Sequence, residues 1–255
     1  MLFAHPDDEF AVFPWLRAAI NAGRPVDVAW LTDGGWGGQD VGRRRRESIA
    51  VLSKLGIKVQ HMHFLGEAWG IADGELYRRL DEVIPRLHAT LGATARHADL
   101  LIPAWEGGHH DHDACHLVGI FLAKAEGANA SQYSLYHGEA LSGPWFKVLS
   151  PLPENGVAET ITTSLWERLG HAARCLRYRS QWKSFLGLMP FYLWRMRRAD
   201  AFVRQPVIVT RTSERPHAGL LLYERRGGPS WDEFSTRTIA YRFPQYFRNS
   251  EPAER

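Results

Sequence analysis

Residues 25–56, PVDVAWLTDGGWGGQDVGRRRRESIAVLSKLG, hold a strand, a glycine-rich loop and a helix in direct succession. Val26 to Thr32 is an apolar, partly β-branched run of strand length. The loop from Asp33 to Gly42 is too rich in glycine to continue either a strand or a helix. Arg44 to Leu55 then restores helical composition, and Gly56 supplies a stop signal. A strand followed by a helix and another strand is the unit from which parallel sheets are built.

The same alternation extends in both directions. Ala11 to Ala22 reads as a helix, Val59 to Leu65 as a strand, and Leu76 to Leu91 as an amphipathic helix that Pro85 should kink or break. Asp99 to Pro103 reads as a short strand and Ala114 to Ala125 as the helix after it. Only Met1, Leu2 and Phe3 precede Ala4, so the expected first strand is either truncated or short. Beyond about residue 140 the pattern loosens. Strands are expected at Phe146 to Leu149, Pro206 to Thr210 and Leu220 to Tyr223, with a helical stretch from Thr160 to Gln181. The expectation is one α/β domain with a mostly parallel sheet and helices on both faces: residues 1–140 form the core, and residues 141–255 elaborate it and shape the cleft.

The 255 residues, 45% hydrophobic and 23% charged, are long enough to bury a sizeable core. A net charge of +3 without a basic, aromatic-interleaved stripe argues against nucleic acid. Cys115 and Cys175 are too few for a disulfide framework and fit a reducing compartment or a single unremarkable pair. No run reaches the roughly 18–20 apolar residues of a membrane span, and no leader pattern opens the chain. A cytoplasmic protein is therefore expected. Phe185 to Met196, FLGLMPFYLWRM, flanked by Arg197 and Arg198, reads first as core or cleft wall and second as a membrane-surface contact.

Two clusters carry the chemistry: His5-Pro6-Asp7-Asp8-Glu9 after the first strand, and His109-His110-Asp111-His112 after the strand at 99–103. Open parallel sheets bind ligands at the carboxyl ends of their strands, where both clusters fall. A single Asp-Asp pair is often a helix cap, and a lone histidine is usually structural. Four histidines within residues 109–116 beside a second acidic cluster are harder to assign to packing, although His116 lies a turn into its helix. His5, Asp8 and His112 form a set that would hold a divalent ion, zinc or ferrous iron, and leave positions for water and a substrate oxygen. Asp7 is then the expected base toward an ion-activated water, and His109 the expected acid and oxyanion donor. Asp111 is expected to orient His109 through its second ring nitrogen.

Four segments together resemble the LmbE-like (PIG-L) family of metal-dependent deacetylases. They are Ala4-His5-Pro6-Asp7-Asp8-Glu9, Thr32-Asp33-Gly34, Arg44-x-x-Glu47 with Leu55-Gly56, and Glu106-Gly107-Gly108-His109-His110-Asp111-His112. The resemblance covers residues 1–140, with Tyr178-Arg179-Ser180-Gln181 a weaker match beyond. It implies a Rossmann-like fold and metal-dependent removal of the N-acyl group from an N-acetylglucosamine-type sugar or glycoconjugate. It also implies His5, Asp8 and His112 as ligands, Asp7 as base, His109 as oxyanion stabiliser, and Arg44 as a contact to the sugar or its attached group. His110 departs from the proline common at that position in the family. For a sugar substrate, Trp145, Trp182, Tyr192 and Trp194 could stack on its apolar face, although each taken singly reads first as core. An amidase of the same chemistry on a thiol conjugate, lipid or glycopeptide, and a non-catalytic glycan-binding module, are the competing expectations.

Overall fold

The computed structural model describes residues 1–242. Strands β1 (Leu2–Phe3), β2 (Val28–Trp30) and β3 (Met62–Phe64) run parallel in that order, connected by helices α1 (Phe13–Asn21) and α2 (Val41–Leu55). Asp40 caps α2 by accepting from the N–H of Arg43, and Gly56 closes it in the left-handed conformation. After α3 (Leu65–Trp69) and α4 (Leu80–Ala95), strand β4 (Asp99–Pro103) lies beside β1. Helix α5 (His110–Glu126) then leads to β5 (Asn129–Tyr133), which pairs in parallel with β4.

The second half completes the architecture with antiparallel additions. A two-stranded ribbon of β6 (Tyr136–His137) and β7 (Lys147–Val148) precedes β8 (Glu159–Ile161), α6 (Leu165–Cys175) and α7 (Trp182–Arg195). Strand β9 (Phe202–Pro206) pairs antiparallel with both β5 and β8, so the sheet is mostly parallel but mixed at this edge. Helices α8 (Leu222–Arg225) and α9 (Trp231–Arg242) complete the described chain.

Period-two alternation along the strands divides the core. Phe3, Val28 and Trp30 pack on one face with Phe13, Leu16, Val51 and Leu52, while Leu2, Ala29 and Leu31 pack on the other with Leu80, Val83, Leu117 and Val118. Helices therefore cover both faces, as a parallel sheet requires.

Several local expectations are corrected. Pro85 neither breaks α4 nor ends it: it sits on the exposed side of a continuous helix, four residues after the exposed Asp81 whose carbonyl loses a partner. The strand expected to begin at Pro206 ends there, and Val209–Ser213 forms a 3-10 turn. The apolar run at 220–223 enters helix α8 instead of a strand, with the Glu224 carboxylate accepting from the N–H of Leu221 at its start. The helical stretch expected at 160–181 shrinks to α6, because Thr160 belongs to β8 and Arg179–Gln181 is a 3-10 turn. Helix α5 begins at His110 instead of 114, which puts most of the histidine cluster in its first turn.

Close packing fixes the strand exits. A Cβ on Gly66 would stand 2.2–2.3 Å from the backbone of Thr32, directly after β2. Gly66→Ala should therefore cost about 1–3 kcal/mol or more, since backbone cannot move aside as a side chain can. Urea unfolding measures this, and an unchanged midpoint would contradict the packing described.

Candidate metal and catalytic centre

The turn after β1 is built by its own acidic residues. One carboxylate oxygen of Asp8 accepts the backbone N–H groups of Ala4 (3.1 Å) and His5 (2.8 Å). Glu9 reaches back to accept from the N–H of Asp7 (2.9 Å) and from the indole of Trp30 (3.2 Å). Between them Asp7 is held at φ 122°, a conformation that costs a non-glycine residue about 1–3 kcal/mol. Arg44 reinforces this geometry from α2, donating to Pro6 O (2.6 Å), to Asp7 Oδ1 (3.0 Å) and to Gly34 O. A Cβ on Gly34 would approach both the Pro6 ring and this guanidinium within 2.9 Å, so the close approach requires glycine.

The segment entering α5 is fixed in the same manner. Asp113 accepts from the N–H groups of Glu106 and Gly107, each at 3.2 Å. Glu106 in turn accepts from the N–H groups of Leu135 (2.7 Å) and Tyr136 (2.8 Å) and from the Ser134 hydroxyl (2.6 Å). Burial raises its pKa to about 7 despite those donors. His110 stacks on His109 at 4.4 Å and donates from Nε2 to Gly74 O (3.1 Å). His116 is buried and donates from Nδ1 to Pro103 O (2.8 Å), which leaves it away from the acidic cluster.

The two turns bring His5, Asp8 and His112 together, with one potential ligand atom from each lying within 4.8 Å of the others and all three side chains buried. His112 Nε2 is 3.1 Å from Asp8 Oδ1, and His5 Nδ1 is 3.6 Å from Asp8 Oδ2. Ligands about 2.0–2.2 Å from one zinc or comparable ion are spaced in this way, so two imidazoles and a carboxylate fit a divalent cation. A second, overlapping group comprises His5, His109 and Asp111.

Asp111 takes a different place from the one expected. Its carboxylate accepts from Gly74 N (2.6 Å) and Leu76 N (3.1 Å) and faces His5 Nε2 (3.2 Å), so it orients His5. Its contact to His109 runs through its backbone N–H, which donates to His109 Nδ1 (3.2 Å). That bond assigns the proton of a neutral His109 ring to Nε2.

The charges are strongly differentiated. Asp8 is held far below the usual carboxylate range: burial opposes this, but the His112 and His5 rings outweigh it. Asp7 is pushed up to about 7 by burial and by the neighbouring Asp8 and Glu9, against the pull of Arg44 and His5. His109 is held well below 6.5 by burial and by the histidines around it. For His5 burial acts downward, but the carboxylates of Asp73, Asp111 and Asp8 raise it well above 6.5.

Asp73 was not among the expected residues. It lies 3.3 Å from His5 Nε2 and 3.5 Å from Arg44. The Asp73-Gly74 pair reads as an ordinary turn, and only its spatial position marks it. His5, Asp7, Asp8, Asp73 and His109 line a cleft of about 490 Å³ whose walls include Trp36, Tyr136, Phe146, Phe185 and Leu188. Arg44 also lines it but is 4% exposed. None of the four aromatic residues considered for stacking on a sugar lines these walls. Trp145, Trp182 and Trp194 are exposed outside the cleft, and Tyr192 is buried against Phe10. Trp36, from the glycine-rich loop, is the exposed aromatic of the cleft. The weaker Tyr178–Gln181 match has a structural role: Ser180 donates through N–H and hydroxyl to Glu47, tying this turn to α2.

Comparison with known proteins places this geometry. The zinc-inhibited form of a teicoplanin deacetylase superposes with a TM-score of 0.61 at 16% identity, covering 81% of this chain and 96% of that one. The A40926 pseudoaglycone deacetylase gives 0.60 at 19% identity, covering 86% and 97%. A conserved protein of Thermus thermophilus gives 0.52 at 18%, covering 81% and 91%. These likenesses establish a shared fold. A search of curated protein sequences returns no match. Residues 1–122, which contain both halves of the split site, match the family model described as PIG-L, GlcNAc-PI de-N-acetylase.

Proposed function

We propose that the chain is a metal-dependent N-deacetylase that hydrolyses the acetamide of an N-acetylglucosamine-type sugar carried on a glycoconjugate. The observation that carries this reading is that Asp7 and His109 line the cleft together with His5 and Asp8, the latter two grouped with His112. A glycan-binding module has no use for a base and a proton-bearing ring in one cleft. The family match and the deacetylase neighbours, one described as an A40926 pseudoaglycone deacetylase and one as a complex with teicoplanin, favour acyl-amide chemistry.

His5, Asp8 and His112 would hold the cation, either zinc or ferrous iron by donor type. Bound there, it would supply Lewis-acid polarisation of the scissile carbonyl and acidify water. Asp7, fixed by Arg44 and by its backbone bond to Glu9, takes the proton from the attacking water. Nε2–H of His109 donates to the oxygen as it becomes negative, which a neutral imidazole can do without first losing a proton. The acid role expected of His109 passes to Asp7 in this scheme: the proton that Asp7 collected returns to the amine as the carbon–nitrogen bond breaks, yielding acetate and an amino sugar. Asp111 and Asp73 keep the His5 ring oriented. Trp36 and Tyr136 offer the apolar faces against which a sugar ring packs, and residues 141–255 complete the walls as part of the same domain.

Acetate release from a panel of N-acetylglucosamine conjugates, with zinc or ferrous iron supplied at one equivalent, is the direct test. Turnover is expected in the native protein. It should fall by about 10²–10⁴-fold in Asp7→Asn, the usual range for a lost general base, while Asp7→Asn keeps its metal. His112→Ala should lose the ion itself, and equal metal loss in both variants would place Asp7 among the ligands. Absence of release from any sugar conjugate, with release from a thiol or lipid amide, would reassign the substrate.

The base must be ionised to act, so kcat/KM should rise with pH and level off once Asp7 is deprotonated. Burial sets that group at about 7, and a cation beside it can only lower the value. The apparent pKa is expected at or below about 7, and a rate that falls as pH rises toward neutrality would contradict the assignment.

A further inference from the structure

Helix α7 has two different faces. Phe185 and Tyr192 are buried against the core, and Phe185 and Leu188 form part of the cleft wall. On the other side Trp182, Leu186, Leu193 and Trp194 are 59%, 68%, 45% and 70% exposed. Trp182, Leu186 and Leu193 recur at helical spacing with the exposed Pro190 and Arg197, so the apolar residues form one stripe and are not scattered.

Charge says what this stripe meets. From Arg168 to Ala199 the chain has eight basic residues and no acidic one. Arg177, Arg179, Lys183 and Arg197 are exposed and take part in no ion pair among the described residues. Arg197 lies over the Trp194 ring at 4.5 Å, so this end of the stripe joins a cation to an indole, whereas Lys183, 5.8 Å from the Trp182 ring, borders the cleft. Two copies meeting through this face would bring like charges together as they buried the indoles. A negatively charged layer with an apolar interior accepts both features: indoles and Leu186 enter the headgroup–acyl boundary, and the cations remain at the anionic headgroups.

We propose that the exposed face of α7 docks on an anionic lipid surface. The same helix forms part of the cleft wall, so docking would place the cleft beside substrates held at that surface. This substrate consequence rests on the deacetylase reading, whereas the docking itself does not.

Co-sedimentation of the full chain with phosphatidylcholine vesicles, with and without phosphatidylglycerol, tests the proposal. Binding is expected with the anionic vesicles and should weaken as salt is raised. The double substitution Leu186→Ser with Trp194→Ser, which alters no cleft residue, should weaken it by at least about tenfold. Val157→Ser, at an 86% exposed position away from α7, should not. A native protein that remains in the supernatant with anionic vesicles, or a double variant that binds as the native chain does, overturns the proposal. So does concentration-dependent dimerisation that the double substitution abolishes while vesicles stay unbound. Acetate release from a water-soluble conjugate, followed on the same preparations, separates failure of docking from failure of the deacetylase reading.

Discussion

The carboxylate of Asp8 faces in two directions, and the arrangement of the centre follows from this. One oxygen accepts the backbone N–H groups that end β1, and the other meets the His112 ring delivered by α5. Two chain segments more than a hundred residues apart are thereby brought into register at one end of the sheet. An exit turn from β1 that pointed elsewhere would leave His5 without its carboxylates and His112 without a partner. Glu9, Arg44, Glu106 and Asp113 act mainly through backbone groups, so much of the polar inventory of the motifs goes into holding the loops still. Such support reduces the reorganisation a reaction would otherwise require.

Electrostatics then gives similar groups different tasks. Asp7, Asp8, Asp73 and Asp111 crowd around His5 and Arg44, and neighbouring carboxylates in a buried setting cannot all ionise with equal ease. Asp8 and Asp73 are pulled downward by the rings and guanidinium beside them, while burial pushes Asp7 upward. Adjacent residues of one motif are thus separated into a carboxylate that stays charged and a group able to exchange a proton near neutrality.

The sequence made the clustering of the polar groups more legible than the architecture around it. His5, Asp7, Asp8, His109 and His112 fall together as their spacing suggested, because strand exits in a parallel sheet converge on one edge. Strand β5 was missed because Asn-Ala-Ser-Gln-Tyr lacks an apolar signature. Gln132 nevertheless fits inside the sheet, since its amide donates to Pro206 O and accepts from Trp105 N. The apolar run at 220–223 carries no period of its own, so strand and short helix are indistinguishable until Glu224 caps it. Asp73 and the His5-orienting role of Asp111 depend on contacts across the cleft that no local pattern encodes. The aromatic residues misled for a related reason: composition reveals an apolar helix, but only packing decides which of its faces borders the cleft.

The central claim is that His5, Asp8 and His112 close around one divalent ion. Anomalous diffraction from zinc-loaded crystals, recorded on both sides of the zinc absorption edge, tests it most directly. The account requires one strong peak within coordination distance of those three side chains, with Asp7 outside that distance. A peak coordinated by His109 and Asp111 without Asp8 and His112, or none at full zinc loading, would contradict it.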